Sequence, residues 1–99
     1  MNIKKILQRW TIVHDPYSDF FQIYDSVVFN LDKSDVIEVK KKNTRLLIEK
    51  NTSKPVLFEM KKIYEITNVE VDTLTKSTII NLVNPYIQTL LESKLHHYA

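Results

Sequence analysis

Two short patterns in the chain place a carboxylate and a lysine two residues apart, at Glu38-Val39-Lys40 and Glu59-Met60-Lys61. Alternate residues of a β-strand face the same side of a sheet, so each pattern would bring an acid and an ammonium group together. Metal-dependent hydrolysis of phosphodiesters can use such a pair, with Asp25 or Asp32 as an upstream acid. Because alternating polar strand positions produce the same spacing without any chemistry, we predict that the chain is not an enzyme.

The histidines give no stronger indication of catalysis. His14 and Asp15, with Asp19 one helical turn further on, could outline a metal site. His96 and His97 are adjacent, so on a helix they would point about 100° apart and would not share one metal ion. The chain has no cysteine, and nothing marks a serine as an activated nucleophile. We therefore expect no catalytic residue, no metal site and no cofactor.

The chain contains no glycine, and this absence excludes more functional classes than the motifs suggest. Average usage would give about seven glycines in a chain of this length. Phosphate-binding loops, dinucleotide turns and nucleophile elbows need glycine for positive φ angles and for close approach of the backbone. Without it, the turns must be made by residues such as Asn, Asp, Ser, Thr, Lys and Pro. These stiffer residues leave the unfolded chain less backbone entropy to lose, so we expect a rigid scaffold that binds through a preformed surface.

Length and composition indicate one small domain. The chain has 99 residues, of which 43% are hydrophobic and 26% charged, a balance typical of globular proteins. We expect a single domain over residues 1–99. No segment approaches the roughly 18 consecutive apolar residues that a membrane span needs. Polar Gln8 and Arg9 interrupt any signal-peptide core, so the sequence predicts a soluble, intracellular protein.

Hydrophobic periodicity predicts the elements that must position these residues. An amphipathic helix is expected at residues 3–10. Residues 17–24 follow the helix-start signal Asp15-Pro16, although their aromatic content also fits a strand. Short apolar runs separated by polar turns predict the strands of an antiparallel meander at 27–31, 36–40, 46–49, 56–60 and 63–71.

The last third of the chain has a helical pattern. An apolar stripe runs from Ile79 to Leu95, and either Thr73 or Thr75 can cap its start. Asn84-Pro85 interrupts the stripe, and we favour two helices in near-continuation over one kinked helix. The predicted fold class is α+β, with an antiparallel β-meander of four to five strands flanked by N-terminal and C-terminal helices.

Basic residues concentrate in the middle of the chain, where residues 33–62 hold nine of the fourteen lysines and arginines. The candidate nucleic-acid-binding residues lie near the predicted hairpin tips and strand ends; they are Lys40, Lys41, Lys42, Arg45, Lys54, Lys61 and Lys62. A basic β-ribbon can enter a groove, and each neutralised phosphate releases counterions. Lysines also protect sheet edges, and no aromatic residue is interleaved with these in the sequence. Nucleic-acid binding is therefore an alternative prediction.

Aromatic residues in the first thirty positions supply a candidate protein interface, formed by Trp10, Tyr17, Phe20, Phe21 and Tyr24. Each such ring can bury roughly 150–250 Å² in the core of a small domain. Tyrosine and tryptophan are also frequent anchors of protein interfaces. Rings that the sheet does not cover are expected to bind a protein partner, either a host factor or a second copy of the chain.

In size, composition and layout, this short, cysteine-free chain rich in Lys, Ile and Asn resembles the small orphan proteins of filamentous archaeal viruses of the lipothrixvirus and rudivirus type. The resemblance implies a thermostable viral accessory protein of the host cytoplasm that binds and inhibits a host factor in the manner of anti-CRISPR proteins. The meander ending in a helix also resembles a pleckstrin-homology-like binding module. We predict a non-enzymatic interaction protein, with nucleic-acid binding through basic β-hairpins and a pleckstrin-homology-like module as alternatives.

Overall fold

The computed structural model describes residues 2–98, and the side chains of residues 2–94. The helices are α1 (Ile3–Leu7), α2 (Ile63–Thr67) and α3 (Lys76–Tyr98). The strands are β1 (Thr11–Asp15), β2 (Phe20–Tyr24), β3 (Val36–Lys41), β4 (Thr44–Glu49) and β5 (Pro55–Lys61). Single turns of 3-10 helix occur at Ser26–Asn30, Lys33–Asp35 and Val71–Thr73. The predicted α+β class, with helices at both ends of an antiparallel sheet, is confirmed.

The five strands form one antiparallel sheet in the order β1-β2-β5-β4-β3. Strands β3, β4 and β5 make the predicted meander. The hairpin of β1 and β2 is added beside β5, so β2 pairs with β5 and not with the strand that follows it in the chain. Residues 25–35 connect β2 to β3, which lies at the far edge of the sheet.

The core lies between one face of the sheet and the helices. Period-2 alternation sends Phe21, Leu46 and Phe58 to this face, where they are fully buried. Helix α1 and the residues after it contribute Ile3, Leu7 and Trp10, and α3 contributes Ile79, Ile80, Val83, Ile87 and Leu90. Each large apolar side chain buried in this way stabilises the fold by about 1.5–3 kcal/mol.

Two predicted strands are helical turns, because side-chain carboxylates satisfy backbone donors there. At residues 27–31 the chain forms the 3-10 helix Ser26–Asn30, whose first turn is capped by the Asp25 carboxylate accepting the Val27 amide hydrogen at 3.1 Å. At residues 63–71 it forms α2 and a 3-10 turn. The carboxylate of Asp19, far away in sequence, accepts the amide hydrogens of Tyr64 (2.8 Å) and Glu65 (3.1 Å) at the start of α2.

Residues 17–24 do not form the helix that the Asp15-Pro16 signal predicted. The Asp15 carboxylate accepts the amide hydrogen of Tyr17 at 3.0 Å, which makes a local turn, and β2 begins at Phe20. The helix prediction was wrong here, and the strand alternative is confirmed.

Helix α3 runs without a break through Pro85, so the favoured prediction of two helices was wrong. Proline removes one backbone hydrogen bond, at a cost of about 3 kcal/mol in a helix interior. Val83 and Ile87 on either side of it are fully buried, and their burial offsets that cost. The Thr75 hydroxyl accepts the Thr78 amide hydrogen at 3.3 Å, which confirms a predicted cap. The side chains of residues 95–98, including the two histidines, lie outside the described part.

Within residues 2–98, five residues have positive φ angles between 52° and 60°, all at turns or at the ends of short elements: Asp19, Lys42, Ser53, Lys62 and Asn68. A left-handed conformation costs an ordinary residue about 1–2 kcal/mol. Residues with side chains therefore occupy the left-handed turn positions that glycine usually takes, and these turns are strained. No helix within residues 2–98 is long and apolar enough to cross a bilayer.

Candidate functional site

The face of the sheet opposite the core, here called the outer face, carries most of the candidate residues. Its strand positions follow from the register and include Val13, Phe20, Gln22, Tyr24, Glu38, Lys40, Arg45, Leu47, Glu59 and Lys61. Helices α1, α2 and α3 all send buried side chains to the opposite face. At one end, the Phe29 ring packs edge-on against Tyr24, with centroids 5.2 Å apart and an angle of 79°.

A chain of hydrogen bonds crosses four strands of the outer face. Gln22 donates from Nε2 to Glu59 Oε1 at 3.1 Å. Arg45 donates from Nη2 to the same oxygen at 2.6 Å and from Nε to Glu59 Oε2 at 3.3 Å. Its Nη1 donates to Glu38 Oε2 at 3.0 Å. The hydrogen bond to Glu59, followed by that to Glu38, raises the pKa of Arg45 above its ordinary value, although partial burial opposes the shift.

The glutamates of the two acid-x-lysine patterns therefore lie close together, on either side of one arginine. Glu38 and Glu59 come from β3 and β5, and both accept hydrogen bonds from Arg45 on the strand between them. Arg45 therefore compensates one of their two negative charges within the sheet. Within the part of the chain whose side chains are described, no three His, Asp or Glu residues are arranged to hold a metal ion.

A shallow cavity of about 250 Å³ lies over this network. Its charged lining residues are Lys40, Lys42, Lys61, Arg45, Glu38 and Glu59. Because Arg45 is paired with both glutamates, the three lysines supply the excess positive charge. None of the three has an ion-pair partner among residues 2–94.

Only part of the predicted basic cluster comes together. Lys40, Lys42, Arg45 and Lys61 surround the outer-face cavity. Lys41 lines a separate cavity with Tyr86 of α3, and exposed Lys62 lies in the turn before α2. Lys54 precedes β5 while Lys61 ends it, so about 20 Å of strand separates them.

The predicted aromatic interface is divided between the core and the surface. Trp10 and Phe21 retain 2% and 0% of their exposure and belong to the core, so including them was wrong. Tyr17 is fully exposed at the β1–β2 turn, whereas Phe20 and Tyr24 are half-buried on the outer face. Phe29 keeps 74% of its exposure and was missed, because residues 27–31 were expected to form a strand.

Phe20 lies directly opposite Lys61 in the β2–β5 ladder. Side chains at such paired positions have Cβ atoms about 4.5–5.5 Å apart on the same face. The structure thus places an aromatic ring beside one lysine of the cavity, which the sequence order had not indicated. The only signal for it is the strand register, and that depends on the unexpected pairing of β2 with β5.

The residues of the predicted His14 metal site have separate roles. His14 Nδ1 lies 2.9 Å from Asp72 Oδ1, within hydrogen-bond distance, beside a cavity of about 420 Å³. The carboxylate of Asp19 caps α2, and that of Asp15 forms the turn with Tyr17. The structure therefore gives each of these side chains a partner within the fold.

Comparisons of the chain with family models, with curated proteins and with solved structures find no match. The resemblance to archaeal viral proteins and the pleckstrin-homology-like alternative stay predictions.

Proposed function

We propose that this protein is a non-enzymatic binding module that holds single-stranded nucleic acid on its outer face. The observation that carries the proposal is the pairing of Phe20 with Lys61 at the edge of the lysine-lined cavity. Proteins that bind single strands combine aromatic rings, on which bases stack, with cations that follow the phosphate backbone. The outer face offers both kinds of group on one rigid sheet.

The aromatic residues are spaced along a single strand. Phe20 and Tyr24 lie on the same side of β2, about 13 Å apart, with Gln22 between them. The amide nitrogen of Gln22 is bound to Glu59, which leaves its amide oxygen to accept a hydrogen bond from a base. A short unpaired segment could therefore stack on Phe20 while its phosphates lie towards the lysines.

The charge of the site predicts a modest salt dependence. Lys40, Lys42 and Lys61 are unpaired among the described side chains, whereas Arg45 is engaged by two glutamates. For single strands, each neutralised phosphate contributes about −0.7 to the slope of log K against log salt. Three lysines give an expected slope of about −2.

The test is fluorescence anisotropy of labelled single-stranded oligonucleotides and their duplexes, titrated at several salt concentrations. We expect single strands to bind more tightly than duplexes, because stacking on Phe20 needs an unpaired base. Phe20→Leu should weaken single-strand binding by roughly 1–3 kcal/mol. Lys61→Gln should make the salt slope shallower by about 0.7.

Lys33→Gln is the matched control, because it removes the same charge from the 3-10 helix Lys33–Asp35. It should leave the slope near its wild-type value. Equal losses in Lys61→Gln and Lys33→Gln, or unchanged binding in Phe20→Leu, would refute the proposed site. The absence of single-strand binding at low salt would refute the function itself.

We propose protein binding as a second candidate function, in which the chain acts as an accessory protein that covers a host factor. The exposed rings of Tyr17 and Phe29, which flank β2, favour it because exposed aromatic residues are frequent interface anchors. Affinity capture from the natural host should then recover one partner in fixed stoichiometry. The double substitution Tyr17→Ser and Phe29→Ser should abolish that recovery, and equal recovery by both forms would contradict this candidate.

A further inference from the structure

A second positively charged cavity, of about 410 Å³, lies beside α1, at the end of β5 that is remote from Lys61. It is lined by Asn2, Lys5, Ile6, Arg9, Trp10, Asp25 and Lys54. The three cations come from two segments separated by more than forty residues, so the cluster is a product of the fold. We call it the α1 cavity.

The lining of the α1 cavity holds three cations and one carboxylate, so it keeps a net positive charge. Within residues 2–94, none of Lys5, Arg9 and Lys54 takes part in an ion pair. The one carboxylate in the lining, that of Asp25, already accepts the Val27 amide hydrogen. This arrangement contrasts with the outer face, where Arg45 is held by two glutamates.

The framework around these cations is rigid. Ile3 and Leu7 anchor α1 in the core, and Trp10 keeps only 2% of its exposure. Pro55, which follows Lys54, is buried as the first residue of β5. Lys5 lies on α1, and Arg9 and Lys54 each lie directly beside a buried residue of this framework. Charged groups anchored in this way bind an anion with less loss of conformational freedom than groups on mobile loops.

We propose that the α1 cavity binds a phosphate group. Arginine offers a planar fork of donors that matches phosphate oxygens, and lysine adds a point charge. A phosphate fits better than a carboxylate, because its greater negative charge can be shared among three cations. The phosphate group could belong to a free phosphate compound or to the phosphorylated end of a nucleic acid strand, and the experiment separates these sources.

Trp10 makes the cavity directly observable, because it is the only tryptophan in the chain and lines the site. The probe is inorganic pyrophosphate, titrated at constant ionic strength while Trp10 fluorescence and the indole N–H resonance are recorded. We expect a saturable change in both signals. The indole Nε1 is buried without a hydrogen-bond partner among the described residues, so its resonance is sensitive to a nearby anion.

Arg9→Gln and Lys54→Gln should each weaken pyrophosphate binding about three- to fivefold, the upper part of the range for one exposed charge pair. Lys33→Gln, which removes an equal charge outside the α1 cavity, should not weaken it. A linear, non-saturating response, or an equal loss in Lys33→Gln, would overturn the site and leave only general electrostatic attraction.

A second arm identifies the source of the phosphate. Short oligonucleotides with a 5′-phosphate and with a 5′-hydroxyl are compared in the Phe20→Leu variant, which removes stacking on the outer face. Tighter binding of the phosphorylated form that is lost in Arg9→Gln assigns a strand end to the cavity. Equal binding of both forms, with pyrophosphate still saturating, assigns a free phosphate compound. The proposals for the α1 cavity and for the outer face can thus be refuted independently of each other.

Discussion

The guanidinium of Arg45 donates two hydrogen bonds to the carboxylate of Glu59, from Nη2 at 2.6 Å and from Nε at 3.3 Å. The two residues are paired across β4 and β5, and the Glu59 side chain keeps only 16% of its exposure. This bidentate pair both stabilises the centre of the sheet and withholds one positive charge from the outer face. A substitution that breaks this pair is therefore expected to lower the stability of the fold and to strengthen the binding of phosphate groups.

Glu59→Gln should lower the free energy of unfolding by about 1–2 kcal/mol, because a charge-assisted pair becomes a weaker neutral contact. The same substitution should release Arg45 for phosphate and make the salt slope for single strands steeper by up to about 0.7. Urea unfolding and the anisotropy titration measure the two effects. Glu38→Gln is the control for stability, with an expected loss below about 1 kcal/mol, because its pair is more exposed. A stable Glu59→Gln variant with an unchanged slope would contradict this account.

Asp19 combines a positive φ of 53° with the cap of α2. Asp19→Ala should lose both the cap and the tolerance of the left-handed conformation, at a cost of about 2–3 kcal/mol. Asp19→Gly should lose only the cap, at about 1 kcal/mol, and Asp19→Asn should lose least. Urea unfolding of the three variants checks this order. Equal urea midpoints for Asp19→Ala and Asp19→Gly would show that the positive φ angle at this residue does not affect stability.

The positive φ angles at the two ends of α2 predict stabilising glycine substitutions. Lys62→Gly should raise the free energy of unfolding by roughly 0.5–1 kcal/mol, since relief of the left-handed strain exceeds the added chain entropy. Asn68→Gly should gain less, because asparagine already tolerates this conformation. The neighbouring Lys61→Gly, in strand β5, should be destabilising. Thermal or urea unfolding measures both changes. If Lys62→Gly and Lys61→Gly changed the free energy of unfolding in the same direction, the explanation by left-handed strain would be excluded.

Pro85 lies exposed within α3 and leaves the carbonyl of Asn81 without its helical donor. Pro85→Ala should stabilise the protein by about 1–3 kcal/mol, because it restores one hydrogen bond and removes a steric clash. Glu92→Ala, at an exposed position of the same helix, serves as a helix-propensity control with an expected change below about 0.7 kcal/mol. A destabilised Pro85→Ala variant would show that the proline is needed for the path of the helix.

Stability at acidic pH should depend on Asp15. Hydrogen bonds from the Ser18 hydroxyl and from the Tyr17 amide lower the pKa of Asp15 below its ordinary 3.8. A lowered pKa in the folded state stabilises the fold above the unfolded value, and this contribution is lost as the pH falls through the folded value. Wild type should therefore be more stable than Asp15→Asn at pH 7, and the difference should shrink as the pH falls below 3.8 and through the lowered pKa. Ser18→Ala should reduce that difference, and a gap that is independent of pH would contradict the assignment.

The sequence predicted the elements whose signals are local. Strands β3, β4 and β5 were expected within two residues of their bounds, because each is an apolar run between polar turns. The errors at residues 27–31 and 17–24 come from local hydrogen bonds of the Asp25 and Asp15 carboxylates, whereas those at α2 and Pro85 depend on packing and contacts with other parts of the fold. Asp19 caps α2 from more than forty residues away, and the buried neighbours of Pro85 keep α3 continuous. Neither influence is visible in a window of neighbouring residues.

The candidate site was predictable as a list of residue types but not as an arrangement. Lysines near hairpin tips can be recognised in the sequence, and four of the predicted basic residues do share the outer-face cavity. The separation of Lys54 from Lys61 and the pairing of Phe20 with Lys61 follow from strand order and register. Those properties arise from pairing across the whole chain, which local periodicity does not encode.

The placement of β2 beside β5 also determines at which stage of folding the outer face forms. The β3–β4 turn joins Lys41 to Thr44, whereas the β2–β5 ladder joins Phe20 to Lys61 across the entire meander. The entropy lost on closing a loop grows with its length, so this is the ladder with the most costly closure and the highest contact order. The ring and the ammonium group therefore become neighbours only through the least local step of folding, and neither the hairpin nor the meander carries the complete site by itself.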